Sequence, residues 1–165
     1  MDCLNDKLCL ATELCPKPDS LINYFTQLII CAELEIPEEK PDIEYLSNEI
    51  LDVCITQAET LDVDLGDGVD RKKIVFQGDL GLGVEYSADM PEQEVHFAHY
   101  NLPFQGFIGE RPCTTTNKGL IAAANFDLDN YYIHYCIEHA QYHQLDCRTL
   151  KPVIVLLIWL EPKTP

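Results

Sequence analysis

Basic residues are scarce in this chain. Eleven lysines and arginines stand against 28 aspartates and glutamates, for a formal net charge of −17. So acidic a surface repels phosphate backbones and anionic lipid headgroups, so neither nucleic acid nor membrane is an expected partner. Long apolar runs are missing too. Val153 to Leu160 is an apolar run of eight residues, far below the ~20 that a spanning helix needs. The start, Met1-Asp2-Cys3, shows neither the basic stretch nor the apolar core of a secretory leader, which predicts synthesis in a cytosol. Catalytic signatures are equally thin. There is no Gly-x-Ser-x-Gly elbow and no phosphate loop, and Gly78, Gly81 and Gly83 have the wrong spacing and fall inside a predicted strand. With no set of residues to which catalytic roles can be assigned, the expectation is a non-enzyme without a cofactor.

Cysteine, by contrast, is plentiful. Eight cysteines in a chain expected to be made in a cytosol sit awkwardly with a reducing compartment, where structural disulfides are disfavoured. Three of them, Cys3, Cys9 and Cys15, stand at a six-residue step. In an extended chain an even step puts all three thiols on one face and Leu4, Leu8, Leu10 and Leu14 on the other. Residues 1–20 therefore read as a connector arm whose leucines dock on a sheet and whose thiols lock it there. Helical intervals also occur, at Leu4, Leu8, Ala11 and Cys15. The run Cys15-Pro16-Lys17-Pro18 favours extended geometry at the arm's end, and so short a helix is marginal unless packed.

Residues 21–165 read as one all-β domain, an antiparallel β-sandwich or jelly roll. Leu28, Ile30, Ala32, Leu34 and Ile36 alternate with Ile29, Cys31, Glu33 and Glu35 up to Pro37. Asp42 could cap a short helical turn through Leu46. Leu51, Val53 and Ile55 then alternate with Asp52, Cys54 and Thr56, and an Asp/Gly-rich loop runs from Asp62 to Asp70. Ile74, Phe76, Leu80, Leu82, Val84 and Tyr86 share one face of a strand long enough, and glycine-rich enough, to be bent or bulged. Val95 to Phe104 is a further strand, and Tyr131, Ile133, Tyr135 and Ile137 give the segment from Phe126 to Gln144 one apolar face. Val153 to Leu160 is apolar on both faces, so something covers each side of it, either a neighbour's arm or ordinary sandwich packing.

By the same alternation, Cys31 and Cys54 lie on outer faces, Cys113 in a loop, and Cys136 opposite the Tyr/Ile face of its strand. Cysteines placed outward are better explained by cross-linking than by core packing. Cys3, Cys9, Cys15, Cys31, Cys54, Cys113, Cys136 and Cys147 are thus the candidates for disulfides between subunits, with pairing left open. Two metal readings compete. Cys136, His139, His143 and Cys147 have zinc-like spacing, but the four share a face only on a helix, and in a strand the two histidines lie about 13 Å apart. Asp62, Asp64, Asp67 and Asp70 crowd one loop, yet Gly66 and Lys73 occupy positions where an EF-hand needs oxygen ligands.

One family resemblance joins these pieces. The run from Ala32 through Ile36-Pro37-Glu38-Glu39-Lys40-Pro41-Asp42-Ile43, then Val75-Phe76-Gln77-Gly78-Asp79-Leu80 to Val84-Glu85-Tyr86, then Val95-His96 to Leu102-Pro103-Phe104, resembles the SPOCS domain. This is the β-rich domain of spore coat and sporulation proteins, and Arg148-Thr149 matches its arginine at the entry to the last strand. The resemblance, over residues 28–160, implies synthesis in the mother-cell cytoplasm and deposition on the spore surface, with lysis exposing the thiols to oxygen. With the peptidoglycan-binding module of the morphogenetic members not expected here, the resemblance favours a building block of coat, exosporium or appendage. The expectation is a self-assembling subunit, a homo-oligomer forming an open polymer or lattice and contacting other spore coat proteins. The alternatives are a monomeric acidic adaptor of the coat, binding a basic partner, and a zinc-stabilised β-domain.

Overall fold

The computed structural model describes residues 8–9, 15, 23–92, 94–122 and 125–164. Among the described residues nine strands run in chain order: β1 (Leu8–Cys9), β2 (Tyr24–Cys31), β3 (Leu34–Glu35), β4 (Ile43–Val63), β5 (Arg71–Ala88), β6 (Val95–Glu110), β7 (Ile121–Ala122), β8 (Tyr131–Gln144) and β9 (Thr149–Pro162). The fold is all-β, and the single helical element among the described residues is a 3-10 turn at Leu128–Asn130. Strand order is β1-β8-β9-β2-β6-β5-β4, with β3 on β9 and β7 on β5. Every pairing is antiparallel except β1 on β8.

This order makes two layers from one folded sheet. Most of β6 pairs with β5, and only Gly109 and Glu110 cross over to Phe25 and Tyr24 of β2. The inward residues of β5 (Ile74, Phe76, Leu80, Leu82, Val84, Tyr86) are all buried, as their alternation predicts, and share one core with Ile154, Leu156 and Ile158 of β9. Across the layers, Tyr86 donates its hydroxyl to the Pro41 carbonyl (3.0 Å) and Tyr100 to that of Glu35 (3.0 Å). A buried Tyr86 and a half-buried Tyr100 keep their hydroxyls satisfied in this way.

Two local expectations are corrected. No helical turn starts at Asp42. β4 begins at Ile43, whose amide donates to the Cys147 carbonyl (2.7 Å), and the Asp42 carboxylate is taken by Arg148 instead of capping. The irregularities also fall elsewhere than on the glycine-rich strand. The β5–β6 register is unbroken from Ile74↔Ile108 to Ser87↔Val95, whereas β4 carries extra residues between Ile43/Tyr45, Leu46/Asn48 and Ile55/Gln57. Bulges on a strand bend it, and here the strand that bends is the outermost of its layer, free to do so.

Candidate functional site

The arm is seen at its root. β1 adds to the edge of β8 in parallel, Leu8 opposite Ile133 and Cys9 opposite His134. A few residues further on, Cys15 is disulfide-bonded to Cys136 with 5.5 Å between Cα atoms. The pairing is within one chain, so this part of the arm is fastened to its own copy. Cys136 does oppose the Tyr/Ile face as alternation demands, but it is only 4% exposed, correcting the expectation of an outward thiol. The cause is on the same face: its sulfur is bonded to Cys15, and the neighbouring His134 stacks on Trp159 with ring centroids 5.3 Å apart. Cys3, Leu4, Leu10 and Leu14 lie outside the described residues, and for Leu8 and Cys9 the description is of the backbone.

The remaining cysteines divide by surroundings. Cys54, half-buried on β4, is disulfide-bonded as well. Cys31, Cys113 and Cys147 are free and exposed, as expected for the first two from strand face and loop. Cys147 is electrostatically restrained: its hydrogen bond to Asp42, partial desolvation, and the Asp42 and Asp146 carboxylates raise its pKa, so its reactive thiolate is disfavoured.

The zinc reading fails on geometry. β8 is a strand, and Cys136 has spent its sulfur on Cys15. No group of three metal-ligating side chains comes together among the described residues. The acidic loop is organised by protein groups. Asp64 accepts from the Gly66 amide (2.7 Å), and Asp67 accepts from the Val69 amide (3.2 Å) and from Arg71 (2.8 Å), with Lys118 Nζ 3.6 Å away. Arg71 is itself buried and also donates to the Thr116 carbonyl, tying this loop to the next.

What the sequence reading left without a physical role is the Arg148 cage. Its guanidinium donates to the carbonyls of Ile36 (3.0 Å), Pro37 (2.8 Å) and Lys40 (3.2 Å) and to the Asp42 carboxylate (2.6 Å). The run Ile36-Pro37-Glu38-Glu39-Lys40-Pro41-Asp42 is thus a loop wrapped around one side chain. Pro37 and Pro41 fix their own φ and bias the residues before them away from helix. That leaves carbonyls pointing inward at a planar five-donor fork.

The charged pairs set the pH response. Asp42 is held below the usual carboxylate range chiefly by its hydrogen bond from Arg148, Asp67 by that from Arg71, and Asp146 by that from the Arg148 amide. A carboxyl with a depressed folded pKa stabilises above its unfolded value, about 3.9, and loses that contribution as pH falls through the folded one. Tyr142 acts in the opposite direction: burial first, then the Glu49 charge, pushes it up to about 12. Its contribution is complete below the unfolded value of about 10 and is lost as pH rises through the folded one. The expected urea midpoint is flat from about pH 5 to 9, falls below about 4 and falls again above about 10. A midpoint unchanged at pH 3 would show that these pairs contribute nothing.

A two-layer antiparallel sandwich with a disulfide-fastened arm and a caged arginine now defines the architecture. The SipL SPOCS domain family matches residues 42–144, more than half of the chain, and the chain belongs to that family. It is a sporulation-related protein. No curated protein and no solved structure matches it.

Proposed function

We propose that the chain is a self-assembling structural subunit of the bacterial spore surface, in coat, exosporium layer or appendage, linked by N-terminal strand donation and intersubunit disulfides. It is a building block and not an enzyme, made in the mother cell and oxidised once lysis admits oxygen. The observation that carries this reading is the mode of arm attachment, a main-chain ladder at a sheet edge followed by a sulfur bridge. Strand addition supplies affinity without a shaped pocket, and a disulfide makes the result resistant to denaturants until reduced. Cys15 closes on Cys136 of the same copy, so that bond is not one of the intersubunit ones. Among the described residues Cys31, Cys113 and Cys147 are the free exposed thiols a neighbour can engage.

Net charge shapes the process. Copies carrying −17 each repel one another beyond contact range, so assembly needs short-range apolar and covalent contacts and is faster in high salt, where that repulsion is screened. The test is electrophoresis and electron microscopy of the purified full chain after oxidation. A ladder without reductant that collapses to monomer with it, together with polymers or sheets in the images, is the expected result. A monomer under both conditions would refute assembly and return the chain to the acidic-adaptor reading.

A further inference from the structure

β9 is apolar on both faces, and the fold covers them unequally. Ile154, Leu156, Ile158 and Leu160 point into the core between the layers. Val153, Val155 and Leu157 point the other way, onto the outer face of the β2–β9–β8 layer, level with Cys31, Ile29 and Gln27 of β2. One part of that face is closed: Leu157 is 7% exposed and pairs with Cys136, whose sulfur is bonded to Cys15. The part next to it is open. Ile29 is 73% exposed, and Val155 opposite it and Val153 beyond are only half-buried. An apolar patch left in water on a sheet face marks a contact site.

Charge decides what the patch contacts. Each copy carries −17, so two copies come together only where few carboxylates face one another. This surface meets that condition. Gln27, Cys31, His139 and Gln141 border it, and Glu138, the one carboxylate among the described residues beside it, accepts a hydrogen bond from Gln27 (2.8 Å). The outer face of the other layer does not, since Asp52, Glu59, Asp79 and Glu85 lie on it. A basic partner would gain most on that acidic face and least on the patch, whereas a second acidic copy is repelled least at the patch. We infer that Ile29, Val153 and Val155 form the surface on which a second copy of this chain docks, patch to patch about a two-fold axis. This rests on the self-assembly reading and names one of its contacts.

The same patch on both sides makes the contact isologous, with Ile29 of each copy resting on the valines of the other. Sheets packed face to face stand about 10 Å apart, close enough for β-branched side chains to interdigitate. Such a contact closes at two. It yields a dimeric unit, which the disulfides of the proposed function join into a longer assembly. Carboxylates elsewhere on the two copies still repel across the interface, so the dimer tightens with salt.

The test uses the full chain with Cys31→Ser, Cys113→Ser and Cys147→Ser, which removes the free exposed thiols and leaves the Cys15–Cys136 bond in place. Analytical ultracentrifugation over a range of protein concentrations is expected to show a reversible monomer–dimer equilibrium, tighter at high salt than at low. Ile29→Glu in that background, at an exposed position that leaves the core untouched, should raise the dimer Kd about tenfold or more through lost apolar docking and added charge. Ile50→Glu, on the outer face of the other layer and 52% exposed, should leave it unchanged, as should the urea midpoint of both variants. A chain that stays monomeric at every concentration, or a dimer that Ile29→Glu weakens no more than Ile50→Glu does, overturns the interface. With the thiols restored, an oxidised ladder that forms equally well in Ile29→Glu overturns the interface and leaves the proposed function standing. A dimer sensitive to Ile29→Glu in a chain that forms no ladder on oxidation upholds the interface and refutes covalent assembly.

Discussion

Replacing Arg148 by alanine is expected to lower the melting temperature by several degrees and to open the loop from Ile36 to Asp42 while the two layers stay folded. The side chain joins four acceptors spread over seven residues, and no neighbour can take its place. Without it three carbonyls lose their donor and the Asp42 carboxylate loses its counter-charge, the type of change whose cost exceeds the net worth of the bonds themselves. The neighbouring backbone contacts, Ile36 amide to Arg148 carbonyl (2.8 Å) and Ile43 amide to Cys147 carbonyl (2.7 Å), are the next to loosen. Hydrogen exchange checks this directly: the amides of Ile36 and Ile43 should exchange much faster in Arg148→Ala, with those of Leu80 and Leu156 affected only through global stability. Arg148→Lys should rescue little, because an ammonium can pair with Asp42 but lacks the planar fork that reaches the carbonyls together. Equal exchange in wild type and Arg148→Ala would show that the cage is ornamental to the loop. Cys147 offers a second readout. Its raised thiol pKa owes most to its hydrogen bond to Asp42. A carboxylate released from Arg148 changes that contact, and the pH dependence of alkylation at Cys147 shifts with it.

The cage also explains why the most specific stretch of the sequence is legible as a family mark and illegible as structure. Alternation reveals which residues of β5 point inward, because period two is a local property: Ile74 through Tyr86 needed no knowledge of their partners. The Pro37–Pro41 loop has no such period. Its meaning lies in Arg148, more than a hundred residues away, and no spacing rule connects a carbonyl to a guanidinium at that distance. Asp42 shows the same blindness from the other side. An aspartate at the head of Ile43-Glu44-Tyr45-Leu46 reads as a helix cap until the arginine that occupies it is seen. Cys136 is a third case. Its face was legible and its burial was not, since the face is covered by a bond to Cys15 that eight candidate thiols leave undetermined. The short contact between β2 and β6, Tyr24 and Phe25 on Glu110 and Gly109, was hidden for a related reason. Each strand is recognisable alone, but that the two part after a single short contact is a fact about their register.

The glycines of β5 separate what strand sequence conveys from what packing decides, and Gly78→Ala is expected to destabilise the chain by about 2–3 kcal/mol where Gly81→Ala costs within about 0.5 kcal/mol of nothing. Both residues lie in the same strand, three positions apart. A Cβ on Gly78 would strike the Cys54 carbonyl oxygen and meet Phe104 Cζ at 2.7 Å and the Ile55 Cα at 3.1 Å; on Gly81 the nearest atom, the Asp52 carbonyl oxygen, is 3.7 Å away. The difference traces to β4. Its extra residue between Ile55 and Gln57 falls opposite Gly78 and Gln77, and the bulge brings its backbone down onto the position where β5 has no side chain. Relief by a rotamer change at Phe104 removes only part of the clash, because the carbonyl belongs to a strand held on β5 by a long ladder. Urea unfolding of the two variants, with a Phe104→Leu background to form a double-mutant cycle, separates the ring's share from the backbone's. A Gly78→Ala chain as stable as wild type would show that β4 does not press on β5 there. If instead the full cost vanishes in the Phe104→Leu background, the ring alone is responsible and the bulge has no part in it.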